Sequence, residues 1–243
     1  MIMNKTLEIE KIFQESPDVR TLRLKLDESI DYKPGQFMMW GKDVMYNGEM
    51  KKIKRAFSIS SSPKIHNYIE ITVKKEEHGL FTPVIFQQKI GDSLEASGPF
   101  GMFVFTDEIP DKFKEIVLIA GGTGIAPIRG IFNYILKNNI KIKTTLLYSA
   151  KTPETIIYKD ELQELKNKYR NFNVVITITR PRESKEEWNG LTGRITKELI
   201  EDNIDNMDKS IFFICGPTEM VETTIKYLRE LKIRSDQIKV EKW

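Results

Sequence analysis

The segment Ile116–Pro127, IVLIAGGTGIAP, constrains the fold of this chain more than any other part of it. An apolar, β-branched run ends at a pair of glycines, and apolar residues with helical spacing follow from Ile128. This pattern predicts a buried strand that turns directly into a helix. Free backbone N–H groups and the helix dipole favour a phosphate at such a turn, and glycines let the backbone approach it closely.

The match to the dinucleotide-binding fingerprint is partial, because Pro127 stands where a third glycine is usual. A tight strand–helix turn without a ligand is the alternative interpretation. The residues expected to form the phosphate turn are Gly121, Gly122, Thr123, Gly124 and Pro127.

The composition is that of a globular chain with room for two hydrophobic cores: of 243 residues, 40% are hydrophobic and 30% are charged. No apolar stretch is long enough for a membrane span, and the N-terminal sequence does not resemble a secretory signal. Cys215 is the only cysteine, which excludes an internal disulfide and an iron–sulfur cluster held within the chain. We therefore expect a cytoplasmic protein.

Charge is nearly balanced, with 38 basic and 35 acidic residues and a net charge of +3. Nucleic-acid binding needs a clustered basic face, and the only dense basic run is formed by Lys51, Lys52, Lys54 and Arg55. We interpret the three lysines as part of a solvated loop over residues 41–54, and we expect no nucleic-acid partner. The only histidines, His66 and His78, have polar, turn-like neighbours, so we expect no metal site.

Two different sequence rhythms divide the chain. Up to about residue 110, short alternating segments separated by turns predict a small antiparallel barrel or sandwich. Beyond that point, apolar runs alternate with helical patterns, which predicts a parallel sheet with helices on both faces. We predict a β-barrel domain over residues 1–110 and a Rossmann-like α/β domain over residues 111–243, joined by the charged segment Thr106–Lys114.

Three further motifs carry chemistry. Arg55-Ala56-Phe57-Ser58 offers a cation for a phosphate, a ring for a heterocycle and a hydroxyl for a ring heteroatom, although alone it fits an ordinary strand better. Gly79-Leu80-Phe81-Thr82-Pro83 predicts a helix start with Thr82 as N-cap, which is a second candidate phosphate site. Cys215-Gly216-Pro217 ends a strand at the same edge of the parallel sheet as the glycine turn.

In this order, the motifs resemble those of the ferredoxin–NADP reductase superfamily of flavin-dependent oxidoreductases. The resemblance runs from Pro34-Gly35-Gln36-Phe37 to the C-terminus, and it includes Gly98-Pro99-Phe100-Gly101 and Glu241-Lys242-Trp243. It implies a flavin-binding barrel, a nucleotide-binding α/β domain and an NAD(P)H-dependent flavoprotein reductase. Such an enzyme passes hydride from NADPH or NADH to bound FAD, and then electrons to an acceptor such as ferredoxin; FMN is the less favoured flavin.

The resemblance also implies roles for individual residues in the flavin site. Arg55 pairs with a flavin phosphate, Phe57 lies against the isoalloxazine, and Ser58 hydrogen-bonds the nitrogen that accepts hydride. The flavin pyrophosphate is bound by Gly79, Leu80, Phe81 and Thr82.

On the nucleotide side, the resemblance implies that Gly121–Gly124 hold the pyrophosphate while Thr123 and Cys215 flank the nicotinamide. Trp243 covers the open flavin face, with a plain apolar strand end as the alternative. Glu241 is a candidate proton relay, although we favour the interpretation of a solvated carboxylate. The catalytic candidates are therefore Ser58, Cys215, Glu241 and Trp243.

Nucleotide preference stays open. Ala150-Lys151-Thr152, which directly follows Thr144–Ser149, contains no acidic residue. Lys151 and Arg180 are therefore candidates for binding a 2′-phosphate and Tyr158 for stacking on adenine, with ordinary surface residues as the alternative.

The overall function also has alternatives. A flavin-binding electron-transfer subunit that docks to a larger redox enzyme through residues 51–54 is the second hypothesis. A nucleotide-binding protein without flavin is the third, but it leaves Arg55–Ser58 and Gly79–Thr82 without a role.

Overall fold

The first half of the chain forms one curled antiparallel sheet. The computed structural model describes residues 2–242, so Trp243 lies outside the described residues. The six strands are β1 (Met3–Ser16), β2 (Val19–Lys25), β3 (Phe37–Tyr46), β4 (Glu49–Ser58), β5 (Tyr68–Lys74) and β6 (Ser93–Phe100). Their order in the sheet is β4-β3-β6-β1-β2-β5, and a bridge between Ile59 and Ile71 closes the sheet onto itself. Alternating apolar residues fill this barrel, as the sequence predicts.

Strands β3 and β4 correct the prediction of a loop over residues 41–54. They form a long hairpin in which Met45 pairs with Met50 and Trp40 pairs with Arg55. Asn47 and Gly48 occupy the tip with φ angles of 51° and 80°, which is the turn chemistry that suits a twisted two-residue hairpin. The lysines of the basic run are therefore arrayed on a strand.

The second half of the chain forms a parallel sheet. Its strands are β7 (Glu115–Gly121), β8 (Lys143–Ala150), β9 (Phe172–Ile178), β10 (Leu191–Thr192), β11 (Ser210–Gly216) and β12 (Ile238–Lys242), in the order β10-β9-β8-β7-β11-β12. The helices of the chain are α1 (Thr82–Gln87), α2 (Ile109–Lys112), α3 (Ile125–Lys137), α4 (Lys159–Lys168), α5 (Lys197–Glu201) and α6 (Thr218–Glu230). The prediction of an antiparallel barrel followed by a parallel α/β sheet is confirmed.

Strand β7 shows why helices cover both faces of the parallel sheet. Its side chains alternate, with Ile116 and Leu118 in the core that contains α3 and α4, and Val117 and Ile119 in the core that contains α5 and α6. All four side chains are fully buried, so each face must be covered by a helix layer.

Helix α3 also packs directly on the barrel. A Cβ built on Gly130 would lie 2.9 Å from the carbonyl oxygen of Ile59, just after β4. One residue earlier, the Arg129 side chain donates to Glu70 of β5 at 2.6 Å and to the Ser60 carbonyl at 3.2 Å. The helix that begins at the glycine turn is thus fixed against the segment that follows the Arg55–Ser58 motif.

The glycine turn itself generates a stability prediction. A Cβ on Gly124 would lie 2.1 Å from the backbone oxygen of Cys215, whereas a Cβ on Gly122 meets no heavy atom within 4 Å. We expect Gly124→Ala to lower the free energy of unfolding by about 3 kcal/mol through overpacking against backbone. Gly122→Ala, at φ 53°, should lose only about 1 kcal/mol through left-handed strain. Urea titration of both variants checks this, and equal losses would contradict it.

Candidate active site

The two motifs of the barrel meet through their aromatic rings. Phe57 stacks on Phe81 with ring centroids 5.9 Å apart and an interplanar angle of 25°. Arg55 and Ala56 are exposed beside this pair, and Leu80 is also exposed, while Ser58 is half-buried. The Arg55 guanidinium donates to the Lys54 carbonyl at 2.8 Å and forms no ion pair within residues 2–242. The strand end therefore presents an exposed cation, a ring and a hydroxyl in sequence.

Thr82 differs from its predicted role as a helix cap. Helix α1 begins at Thr82 itself, its N-cap residue is Phe81, and no side-chain cap bond forms there. The Thr82 hydroxyl is nearly buried and accepts a hydrogen bond from the Glu76 backbone N–H at 2.9 Å. This hydrogen bond fixes the preceding turn, so Thr82 stabilises the conformation of the Gly79–Thr82 segment.

A polar cluster joins the two halves of the molecule. The Ser58 hydroxyl, at the end of β4, donates to Glu241 Oε1 at 3.0 Å, and the Cys215 thiol lies 3.9 Å from the same oxygen. Cys215 and Glu241 are register partners on the neighbouring strands β11 and β12. Three of the four predicted catalytic residues are thereby brought together, and the fourth, Trp243, lies outside the described residues.

Burial controls the protonation of this cluster. It raises the pKa of the Glu241 carboxyl above its ordinary value, although the Ser58 hydroxyl and the Cys215 thiol donate to the carboxylate and act in the opposite direction. Burial, and then the negative charge of Glu241, raises the pKa of the Cys215 thiol well above its ordinary value. Cys215 is therefore a neutral thiol, and Glu241 takes up a proton at a higher pH than a solvated carboxyl does.

The glycine turn lies next to this cluster. Gly121 is packed against Met220, because a Cβ there would lie 2.5 Å from its sulfur, and a Cβ on Gly216 would lie 3.1 Å from the Gly121 nitrogen. Gly122 is exposed with open space around it, and its carbonyl accepts from the Tyr148 hydroxyl at 3.2 Å. The sequence analysis did not identify Tyr148 as part of the site, because it lies inside an apolar strand. A buried tyrosine usually needs a hydrogen-bond partner for its hydroxyl, and this was the signal that could have identified it.

Lys151 and Arg180 stand at the carboxyl edge of the sheet, as expected. The Arg180 backbone N–H donates to the Lys151 carbonyl at 2.8 Å, so the two exposed residues are neighbours. Glu183 lies 3.4 Å from the Arg180 guanidinium.

Tyr158 does not fit the predicted stacking role. It is 6% exposed, its hydroxyl is hydrogen-bonded to Thr72 of the barrel, and the Arg129 guanidinium lies 4.5 Å from its ring centroid. Because both the ring and its hydroxyl are engaged between the domains, Tyr158 is not available as an adenine platform.

These residues fit the flavin and nucleotide that the sequence motifs imply. The exposed Arg55 cation suits a phosphate. The open backbone around Gly122 leads into α3, whose first turn has no acidic residue and so does not repel an anion.

A metal site has no such support: within residues 2–242, no group of three His, Cys, Asp or Glu side chains is placed to hold an ion. None of the helices in that range combines the length and apolar character needed to traverse a bilayer.

Comparisons with known proteins agree with this geometry. The family model for an oxidoreductase FAD-binding domain matches residues 6–105, and that for an oxidoreductase NAD-binding domain matches residues 118–226. The chain is 31% identical over 237 residues to NADH-cytochrome b5 reductase 2 of Saccharomyces cerevisiae, covering 95% of this chain and 75% of that protein. It is 29% identical over 222 residues to the glycine betaine monooxygenase reductase subunit of Chromohalobacter salexigens, covering 90% of this chain.

A ferredoxin NADP⁺ reductase from Neisseria gonorrhoeae, solved with bound FAD and NADP, shares the fold with a TM-score of 0.80 at 24% identity, over 98% of each chain. The chain belongs to the ferredoxin–NADP reductase-like family of flavin-dependent reductases and contains its FAD-binding and NAD-binding domains. The predicted family and cofactors are thus confirmed. The chain spans 58% of the length of the glycine betaine monooxygenase reductase subunit that it matches.

The raised pKa of Glu241 generates a prediction for stability. A carboxyl whose pKa is higher in the folded state favours folding at low pH, and this contribution disappears as the pH rises through the folded-state pKa. We expect Glu241→Gln to be more stable than the natural protein at neutral pH, with the difference shrinking as the pH falls below that pKa. Melting curves of both proteins from mild acid to neutral pH measure this. A difference that stays constant with pH would show that Glu241 has an ordinary pKa.

Proposed function

We propose that this chain is a reductase that transfers hydride from NADH or NADPH to FAD and then passes electrons to a protein acceptor. The observation that carries the proposal is the shared carboxylate of Glu241. Ser58 ends the flavin motif and Cys215 begins a nucleotide motif, and both lie within hydrogen-bonding reach of the same oxygen, at 3.0 and 3.9 Å. The two cofactor motifs therefore converge on one point between the domains.

Each residue has a specific task in this proposal. Arg55 pairs with a flavin phosphate, and the Gly79–Thr82 segment supplies backbone donors to the pyrophosphate. Phe57, backed by Phe81, offers a rigid ring surface for the flavin. FAD supplies the redox chemistry when bound, because its ring system accepts hydride and releases electrons.

On the nucleotide side, the proposal assigns the pyrophosphate to the backbone of Gly121–Gly124 at the start of α3, with Thr123 and Cys215 beside the nicotinamide. Ser58 orients the reacting edge of the flavin, and Glu241 holds or yields a proton through its bond to Ser58. Gly216 and Pro217 shape the floor of this site, and Trp243 is proposed as its cover.

Nucleotide preference rests on the edge residues. Lys151 and Arg180 are neighbouring exposed cations, which favours the 2′-phosphate of NADPH, whereas Glu183 beside Arg180 partly neutralises that site. The yeast relative is named an NADH reductase. We propose that the protein uses both nucleotides and that Lys151 and Arg180 make it bind NADPH more tightly than NADH.

The β3–β4 hairpin supports a protein acceptor with an acidic surface. Its tip exposes Met45 and Met50, at 64% and 60% exposure, and Lys51 and Lys54 extend from opposite faces of β4. An apolar hairpin tip with a lysine on each face of the strand beside it suits a transient electron-transfer partner of opposite charge. An electron-transfer subunit of a larger redox enzyme is the second candidate, since the relative in Chromohalobacter is named a reductase subunit. We place either activity in the cytoplasm, where a lone cysteine stays reduced.

The visible spectrum of the purified protein tests the function. We expect a flavin spectrum that bleaches when one equivalent of NADH or NADPH is added without oxygen. Arg55→Ala should lose most of the flavin, because the phosphate loses its cationic partner. Lys25→Ala, which removes an exposed cation from another strand of the barrel, should retain it. A colourless natural protein that stays colourless with FAD or FMN would end the proposal.

Salt dependence tests the proposed acceptor surface. We expect Lys51→Gln/Lys54→Gln to raise the KM for an acidic ferredoxin about tenfold at low ionic strength, with little effect at high salt, where charge steering is screened. The rate with menadione, a neutral quinone that needs no docking, should stay unchanged. Equal losses with both acceptors would place the lysines in flavin binding, and no loss with either would remove the hairpin from the acceptor surface.

A further inference from the structure

We propose that Arg129 is a positioning residue for hydride transfer, which holds the nucleotide turn and the flavin motif at a fixed separation. The inference rests on the proposed function, but it concerns residues outside the cofactor motifs. Arg129 lies on α3, five residues after Gly124, and its side chain crosses to the barrel.

The geometry of Arg129 is that of a clamp with three attachments. One guanidinium nitrogen donates to Glu70 at 2.6 Å and to the Ser60 carbonyl at 3.2 Å, both on the barrel. A second nitrogen donates to Glu161 of α4 at 2.6 Å, within the α/β half. The side chain is therefore fixed to its own domain on one side and to the partner domain on the other.

The attachments are buried, which makes them specific. The side chain of Arg129 is 15% exposed and that of Glu70 is 3% exposed. Burial alone would raise the pKa of Glu70, but Arg129 and Arg23 together hold it below its ordinary value, so the pair stays charged. Removal of one member of a buried ion pair leaves an uncompensated charge, and this cost enforces one arrangement of the two domains.

Ser60 connects this clamp to the chemistry. It lies two residues after Ser58, and its backbone N–H donates to the Glu70 carbonyl at 2.8 Å, which fixes that segment to β5. Because Gly130 has no side chain, α3 packs closely against the Ile59 carbonyl. A shift of α3 at Arg129 therefore moves the glycine turn relative to Ser58. Hydride transfer is sensitive to shifts of this kind, because a misplacement of about 1 Å can cost about 100-fold in rate.

The network offers matched variants. Arg129→Gln removes the clamp, and Glu70→Gln removes the charge that receives it on the barrel. Two controls break ion pairs that lie outside this network and stay within one domain: Lys143→Gln loses its pair with the buried Glu115 inside the α/β half, and Lys5→Gln loses its pair with Glu28 inside the barrel. Arg129→Lys keeps the charge but not the forked geometry.

Rapid mixing of each holoprotein with NADH and NADPH in the absence of oxygen measures the rate of flavin reduction at saturating nucleotide. We expect Arg129→Gln and Glu70→Gln to lower this rate about 10- to 100-fold, with the nucleotide Kd changed less than about threefold. The rates of Lys143→Gln and Lys5→Gln, and the flavin content of every variant, should stay close to those of the natural protein, and Arg129→Lys should recover part of the rate. Equal effects in all four glutamine variants would reduce Arg129 to a general stabilising role and overturn the proposal.

Interdomain distance is the second readout, independent of activity. Spin labels at Glu8→Cys on β1 and Glu164→Cys on α4, both exposed positions, report it while the natural Cys215 is buried. We expect a narrow distance distribution in the natural background and a broadened or shifted one with Glu70→Gln or Arg129→Gln. An unchanged distribution with an unchanged reduction rate would refute the clamp. A natural protein without flavin would instead refute the proposed function.

Discussion

The contact between α3 and the segment that follows β4 is the constraint on which the rest of the structure depends. The same helix begins at the nucleotide turn and lies on the chain just beyond the flavin motif, with Gly130 allowing the approach. The barrel core and the core that contains α3 thereby lie side by side, and Val19 of β2 packs within the second of them. Since catalysis between two cofactors depends on their separation, the packing of this single helix converts two binding domains into one site.

The boundary between the halves combines apolar contacts, such as the Phe103 ring against that of Phe213, with buried charges. Arg129, Glu70 and Glu161 form a buried network, and Arg23 extends it through the barrel. An apolar contact tolerates sliding, but charged side chains with fixed hydrogen bonds have one favourable arrangement. The hydrogen bonds among Ser58, Cys215 and Glu241 likewise hold the two halves in one arrangement at the proposed cofactor site.

The sequence predicted the architecture because the two periodicities are strong and local. Strand β7 and helix α3 follow directly from the apolar run, the glycines and the helical spacing after Ile128. The hairpin of β3 and β4 was not predicted, because its lysines and exposed methionines do not alternate regularly between apolar and polar residues. Asn47-Gly48 is nevertheless a recognised hairpin signal.

Other features had no local signal. Tyr158 itself has a left-handed backbone with φ 60°, and only the folded chain shows that its hydroxyl bonds to the barrel. The Arg129 network joins residues that are far apart in sequence, so no window of residues contains it. The convergence of Ser58, Cys215 and Glu241 was expected only from the resemblance, because the residues come from three distant segments.

The position of Cys215 has a consequence for chemical probing. Its sulfur is fully buried on β11, beside the last described strand, and its thiol resists ionisation. A thiol in this state does not react with alkylating reagents while β12 stays paired. The sole cysteine therefore serves as a natural reporter of strand detachment: its rate of alkylation measures how often the C-terminal edge of the sheet opens.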